Sequence, residues 1–304
     1  KNRGAISAAA ICKFVIMGGI VGSADGAVSN VVNVAQVSAP GNPGGKEGIL
    51  KEKYIGPRYA YVGGIVGQLT AEGSVTGNGD TTNSGSVKIE QMEHTADALV
   101  YVGGIVGQHL GKISNTVNAG EVSVTGAPDS GTANWNVRCL GGIAGIIGGA
   151  DVAGAGATIS DSKNLALVSH STLAKSNAKP IYVGGTVGLM LESGCTISDC
   201  SNSGKVDAGF FNNSMEYGEA PSTVRANCAG GIVGATVSPA DINVISGCSN
   251  SGEMSVYRGM GGGIVGYAEA AKIANCTNTG NFPTNNRGGR SGGIASKAVN
   301  TRIE

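Results

Sequence analysis

A five-residue signature, Gly-Gly-Ile-Val-Gly, begins at Gly18 and returns for the length of the chain. It reads GGIVG from Gly18, Gly63, Gly103, Gly230 and Gly262, GGIAG from Gly141, GGTVG from Gly184 and GGIAS from Gly292. Successive starts lie from 30 residues apart (Gly262 to Gly292) to 46 (Gly184 to Gly230), so the box is constant and the filler is not. A fixed signature at such a period marks a repeat array, and it overrides the usual division of a chain this long into about one to three globular domains. The expectation is one β-solenoid domain over residues 1–304.

A second box, Asn-x-Gly-x-apolar, follows in phase with the first. It is clearest at Asn83 to Val87, Asn118 to Val122, Asn202 to Val206, Asn250 to Met254 and Asn278 to Phe282, and degenerate at Asn33 and Asn164, where Ala35 and Ala166 replace the glycine. Five residues ahead of most of these asparagines stands an Ile or Val: Val28, Ile113, Ile159, Ile197, Ile245 and Ile273. The second repeat breaks this spacing, with Val75 set back by the turn-like Gly77-Asn-Gly-Asp80.

Short β-branched runs punctuated by Asn and Gly argue for strands. The unit from Gly262 to Ser291 divides into three runs, GGIVGYA, KIANCTN and NFPT. Three strands and three corners make one rung of a parallel β-helix, each strand pairing with its equivalent one unit on at about 4.8 Å. The expected fold is therefore all-β, a β-solenoid of about seven to eight rungs with three short strands each. Glycine at the corners suggests positive φ, and Asn tolerates the left-handed region and caps its own turn. Stacked asparagines can also bond along the axis. Glycine contributes 53 of 304 residues and aromatics only 4%, so the core must be thin and built from Ile, Val, Ala and Cys.

Positions within the rung should form columns. Ile20, Ile65, Ile105, Ile143, Thr186, Ile232, Ile264 and Ile294 make one inward ladder, and the Ile or Val before each Asn box makes another. Cys200, Cys248 and Cys276 share a register and read as a buried column of thiols, with one bridge between adjacent rungs left open. Cys139 and Cys228 fall two units apart, too far to bridge.

Variable length sits mainly between the Asn box and the next glycine box, so the inserts should leave from one corner and crowd one side, which in repeat proteins is commonly the binding side. Tyr54, Tyr59, Trp135, Phe210, Phe211 and Tyr217 lie in these inserts and are the candidate binding residues. They serve either a small hydrophobic patch of the insert itself or stacking on a sugar or partner protein.

Chemistry is harder to find. The 21 basic and 21 acidic side chains cancel and form no basic cluster, which offers no footprint for nucleic acid or an anionic membrane. No stretch is long and apolar enough to span a bilayer as a helix. The histidines, His94, His109 and His170, occupy unrelated phases and read as solvated or half-buried. The seven cysteines fit no zinc pattern, and no Lys-Ser/Thr follows the glycine box to make a phosphate loop. Asp161 and Asp199 share a register with Asn115 and Asn275, a faint echo of the acid columns of β-helix polysaccharide enzymes, but Gly247 interrupts it and no Lys or Arg joins. The expectation is no catalytic residue, metal or cofactor.

GGIVG followed by I-S-x-C-x-N-x-G-x-V resembles the GLUG-type repeats of bacterial surface proteins, over nearly the whole chain from Asn2 to Ser296. Such repeats occur in large adhesins and in non-catalytic portions of some IgA-cleaving metallopeptidases. The resemblance implies an extracellular or surface-displayed bacterial protein, adhesin-like, binding a host or environmental glycan or protein. A carbohydrate-active β-helix enzyme and a passive stalk stand as alternatives. The chain opens halfway through a rung at the Asn2 box and stops at Thr301 to Glu304 ahead of another, which suggests a piece of a longer array.

Overall fold

The computed structural model describes residues 1–7, 14–40, 59–92, 99–126, 137–148, 156–171, 180–209, 227–238, 240–257, 259–282 and 289–304. All described strand pairings are parallel, and each strand pairs with its equivalent in the next repeat. The chain is a parallel β-helix. Ile65 and Ile105 are axial neighbours: the Ile20 N–H donates to Ile65 O, Ile65 to Ile105, Ile105 to Ile143, and so on through Thr186, Ile232 and Ile264 to Ile294, at 2.9–3.0 Å.

The rung has more segments than its sequence suggests. In the repeat built on Gly230, Cys228–Gly230 belongs to an eight-stranded sheet I and Val233–Val237 to an eight-stranded sheet II. Asn243–Ser246 and Ser249–Asn250 follow one another around the Gly247 bend in the thirteen-stranded sheet III, and Met254–Ser255 lies in the seven-stranded sheet IV. The expected GGIVGYA run is divided at the glycine pair, and the KIANCTN run is divided at Asn275, which is left-handed with φ 53°. In the last unit Asn281 and Phe282 of the NFPT run form no strand, although Asn281 O accepts a hydrogen bond from Met254 N.

The glycine box has a different physical cause from the one its composition suggested. None of its glycines has positive φ; the left-handed positions are Asn30, Asn115, Asp161, Asp199, Gly247 and Asn275 at the bend inside sheet III, with Ala270, Asn300 and scattered loop glycines. What the box requires is close approach. A Cβ on Gly104 would lie 2.3 Å from Asn118 Cγ and 2.2 Å from Gly142 O, and a Cβ on Gly103 would lie 1.9 Å from Val106 O. Each rung is therefore pinched at a waist, where the second glycine of one wall meets the Asn of the opposite wall.

That Asn column is continuous. Asn2 Nδ2 donates to Asn33 Oδ1, and the relay runs on through Asn83, Asn118, Asn164, Asn202 and Asn250 to Asn278 at 2.7–2.9 Å. The second N–H of each amide caps the carbonyl two residues on, as Asn118 does at Gly120 O, 2.9 Å. Six of these side chains, Asn33 to Asn250, are at most 1% exposed, so both donors must be satisfied, and they are.

The waist splits the interior in two. Between sheets II and III lie the Ile ladder, the Ile/Val column before the Asn box, and Cys200 and Cys248; between sheets I and IV lie Val62, Val102, Val122, Val168 and their equivalents. The displaced Val75 sits in its column after all, paired with Ile113, because residues 77–80 loop outward between Thr76 and Thr81 and the register resumes beyond them. The Cys200, Cys248 and Cys276 thiols each lie 3.2 Å from the carbonyl two residues earlier, and no disulfide links the described cysteines. A hydrogen bond to the Cys200 sulfur, which needs the protonated Cys248 thiol as donor, together with burial, pushes the Cys248 pKa up to about 12.

Candidate binding surface

Turn lengths decide where anything can be attached. The connection from sheet I to sheet II is two residues in every repeat, for example 64–65, 104–105 and 263–264, and that from sheet III to sheet IV is three, for example 84–86, 119–121 and 251–253. Both are locked by the waist. The connection from sheet IV back to sheet I ranges from 256–259 to 208–227, passing through 41–58, 127–137 and 172–180. One further long connection, 148–157, leaves instead between sheets II and III. The corner expected to carry the inserts does so, with that addition and the small 77–80 loop within sheet III.

Of the candidate residues in those inserts, Tyr54, Trp135, Phe210, Phe211 and Tyr217 lie outside the described residues. Tyr59 does not belong to an insert in the structure: it opens the sheet I strand Tyr59–Gly63, half-buried, in register with Phe14 and Leu99.

A surface that the sequence reading passed over lies on the outside of the waist. There the third glycine of the box brings sheet II against sheet I of the preceding rung; a Cβ on Gly107 would lie 2.6 Å from Val62 N. The outward columns of the two sheets meet along this seam. Sheet I contributes Ile16, Tyr61, Tyr101, Cys139, Tyr182, Cys228, Met260 and Arg290 in register, and sheet II contributes Ser23, Gln68, Gln108, Ile146, Leu189, Ala235, Tyr267 and Lys297. From Tyr101 to Tyr267 they form a third apolar cluster, exposed by no more than 7%.

The two ends of the seam differ. At the amino-terminal end the Tyr61 and Tyr101 rings stack with centroids 5.2 Å apart and planes 5° from parallel. Gln68 Nε2 donates to Gln108 Oε1 at 2.9 Å, Gln108 Nε2 donates to Gly148 O at 3.2 Å, and Ser23 Oγ reaches Gln68 Oε1 at 3.5 Å. At the carboxy-terminal end Tyr267 donates to Glu269 at 2.8 Å and lies under Lys297 Nζ, 5.9 Å from the ring centroid. Burial, with the Glu269 hydrogen bond second, holds the Tyr267 phenol well above its ordinary pKa. The signal for this surface was visible, since Tyr61, Tyr101, Tyr182, Cys139 and Cys228 all stand two residues before a glycine box. What was missing was the knowledge that this position faces outward into a crease.

His109 and His170 are fully buried, correcting the expectation of solvated or half-buried rings. His109 Nε2 lies 3.0 Å from Thr158 O, and desolvation lowers its pKa to about 4. His170 Nε2 lies 2.6 Å from Arg138 Nη1; burial first, and the guanidinium second, hold its pKa well below the ordinary value. His94 lies outside the described residues. Asp161 and Asp199 are exposed residues of the left-handed bend, a place that Asp and Asn fill for backbone reasons. Among the described residues no group of three His, Cys, Asp or Glu is placed to hold a metal ion, and no helix is long and apolar enough to cross a membrane.

Comparison with known proteins gives a short result. Residues 258–282, which include the Gly262 box and the Asn278 box, match the GLUG motif family, so the repeat is of GLUG type. A crystal structure described as "a putative immunoglobulin A1 protease from Bacteroides ovatus" is similar at 16% identity, covering 92% of this chain and 78% of that one, with a TM-score of 0.44. No curated protein matches the chain.

Proposed function

We propose that this array of GLUG-type repeats is a non-enzymatic scaffold of the bacterial cell surface or extracellular space, adhesin-like, binding a host or environmental glycan or protein through its inserts. One observation carries the reading. Two of the turns in each rung are invariant in length while the sheet IV to sheet I connection ranges from 256–259 to 208–227, so most of the variation leaves from one corner, with 148–157 between sheets II and III and the 77–80 loop of sheet III as the exceptions. Loops gathered along one side of a rigid support are the ordinary construction of a recognition surface.

The test is binding of the full chain to arrayed glycans and to host-cell surfaces, repeated after residues 41–58 or 208–227 are exchanged for a short Gly/Ser linker. Binding lost with the exchange, and an unchanged far-UV circular dichroism spectrum, is the expected result. Turnover of an arrayed polysaccharide, or binding indifferent to both exchanges, overturns it.

A further inference from the structure

We propose that Cys248 is the hub of a disulfide between rungs, formed with one of its two axial neighbours, Cys200 or Cys276, when the chain folds in contact with a small-molecule disulfide. The inference concerns a covalent modification of the rod and holds whatever the inserts bind.

Position within the rung singles out this column. Each member stands one residue before a paired strand, and the register of Ser201 with Ser249 and of Ser249 with Thr277 stacks the three cysteines in successive rungs. The backbones are tied at that level: Ser249 N donates to Cys200 O and Thr277 N to Cys248 O, both at 2.9 Å. Neighbouring rungs lie about 4.8 Å apart, inside the Cα separation of about 4.4–6.8 Å that a disulfide spans, whereas Cys200 and Cys276, two rungs apart, are out of reach. Side chains of this column also meet across rungs. In the two preceding rungs the same position holds Thr116 and Ser162, whose hydroxyl oxygens are 3.0 Å apart. No other described cysteine has such a neighbour: Tyr182 stands between Cys139 and Cys228, and Cys195 is in register with Ala157 and Asn243.

The step is a thiol–disulfide exchange. One cysteine of the pair, as thiolate, attacks a sulfur of the oxidant, glutathione disulfide for example, and displaces one glutathione thiolate. The other then attacks the protein sulfur of that mixed disulfide and displaces the second. Two cysteine sulfurs are oxidised, the two glutathione sulfurs are reduced, and the released thiolates take up the two protons that the cysteines gave. Folding decides when this can happen. Cys200 and Cys248 are each 1% exposed, so the closed rod shuts the oxidant out. The hydrogen bond to Cys200 and burial also hold Cys248 in its unreactive thiol form. Whichever state is present when the rungs close is therefore kept. Three sulfurs in a line permit one bridge, so each flanking cysteine is a spare for the other.

The reduced full chain is unfolded, refolded with glutathione disulfide or with glutathione alone, and its unreduced peptides are mapped by mass spectrometry. One bridge containing Cys248 is expected with the disulfide and none with glutathione alone. Cys276→Ser should leave the bridge from Cys200 to Cys248, Cys200→Ser should leave that from Cys248 to Cys276, and Cys248→Ser should leave the column unbridged. Serine fits this position, since Ser162 is buried there with its hydroxyl donating to Ser160 O at 2.8 Å. The double variant Cys200→Ser with Cys276→Ser should abolish the bridge by a second route. Glutathione disulfide added to the reduced chain after folding should bridge it at least about tenfold more slowly than during refolding. Free thiols throughout the column after oxidative refolding, glutathione adducts without a bridge, a bridge that survives Cys248→Ser, or equal rates before and after folding overturns the proposal.

Discussion

The waist and the seam are two sides of the same glycine box, and they have opposite characters. On the inner side, every complete rung places the same residues: glycine against asparagine, with the asparagine bonded to its copies above and below. On the outer side, the same strands present Tyr61, Cys139, Met260 or Arg290 at one position, and Gln68, Leu189 or Lys297 at the other. The difference is one of space and satisfaction. In the waist a single added carbon meets backbone at about 2 Å and an altered amide strands two buried partners. In the seam a change of side chain meets other side chains, which can give way. Columns that vary on a frame that cannot are where a repeat scaffold is able to acquire binding specificity.

The sharpest way to break this contrast is Gly104→Ala. Its Cβ would lie 2.2 Å from Gly142 O and 2.3 Å from Asn118 Cγ, so relief requires moving the backbone of the next rung. The expected loss exceeds about 4 kcal/mol in chemical denaturation, among the largest single-residue effects. A loss below about 1 kcal/mol would mean that the waist is far softer than its contacts imply.

Acid should come next. His109 occupies the inner column of sheet II, between Leu69 and Ile147 in register. Its folded pKa of about 4 lies below the unfolded value of 6.5. Above pH 6.5 both states keep the ring neutral; as the pH falls from 6.5 to 4 the unfolded chain takes a proton that the folded chain refuses. Stability therefore declines on acidification across that window, by about 3 kcal/mol from His109 alone, and the shift of His170 has the same sign. Denaturation midpoints between pH 7 and 4 check this, and His109→Leu should flatten the slope.

Within the seam itself, Leu189→Ala in the closed middle should cost about 2–3 kcal/mol, whereas half-buried Gln68→Ala should cost about 1 kcal/mol, because it opens no core cavity and only leaves Gln108 Oε1 without its donor. Equal costs would erase the distinction between closed and half-buried parts. The smallest effect is a gain. Thr186 stands alone in the Ile ladder, and its buried hydroxyl has no hydrogen-bond partner among the described residues. Thr186→Val should stabilise the chain by about 1 kcal/mol, read as a raised melting temperature.

Much of this architecture was legible in the residues. Ile65 above Ile105, the axial Asn relay, the buried thiols of Cys200 and Cys248 and the corner that carries the inserts all follow from counting positions between two boxes, because in-register parallel strands turn sequence period into spatial column. The bend at Asn115 and Asn275 was missed because a left-handed residue inside a run looks like an ordinary polar position. His109 and His170 were misread because their burial depends on which neighbouring rung faces them, and an insert changes that phase.

By itself, then, the sequence determined the period, the parallel pairing and the ladder members, since these depend only on which residues recur and how far apart. Only the tertiary structure decided that the glycines serve close approach instead of positive φ, that the interior is two compartments, and that the tyrosines line an outer crease. Those properties arise from contact between opposite walls of one rung, segments whose separation along the chain says nothing about how closely they meet.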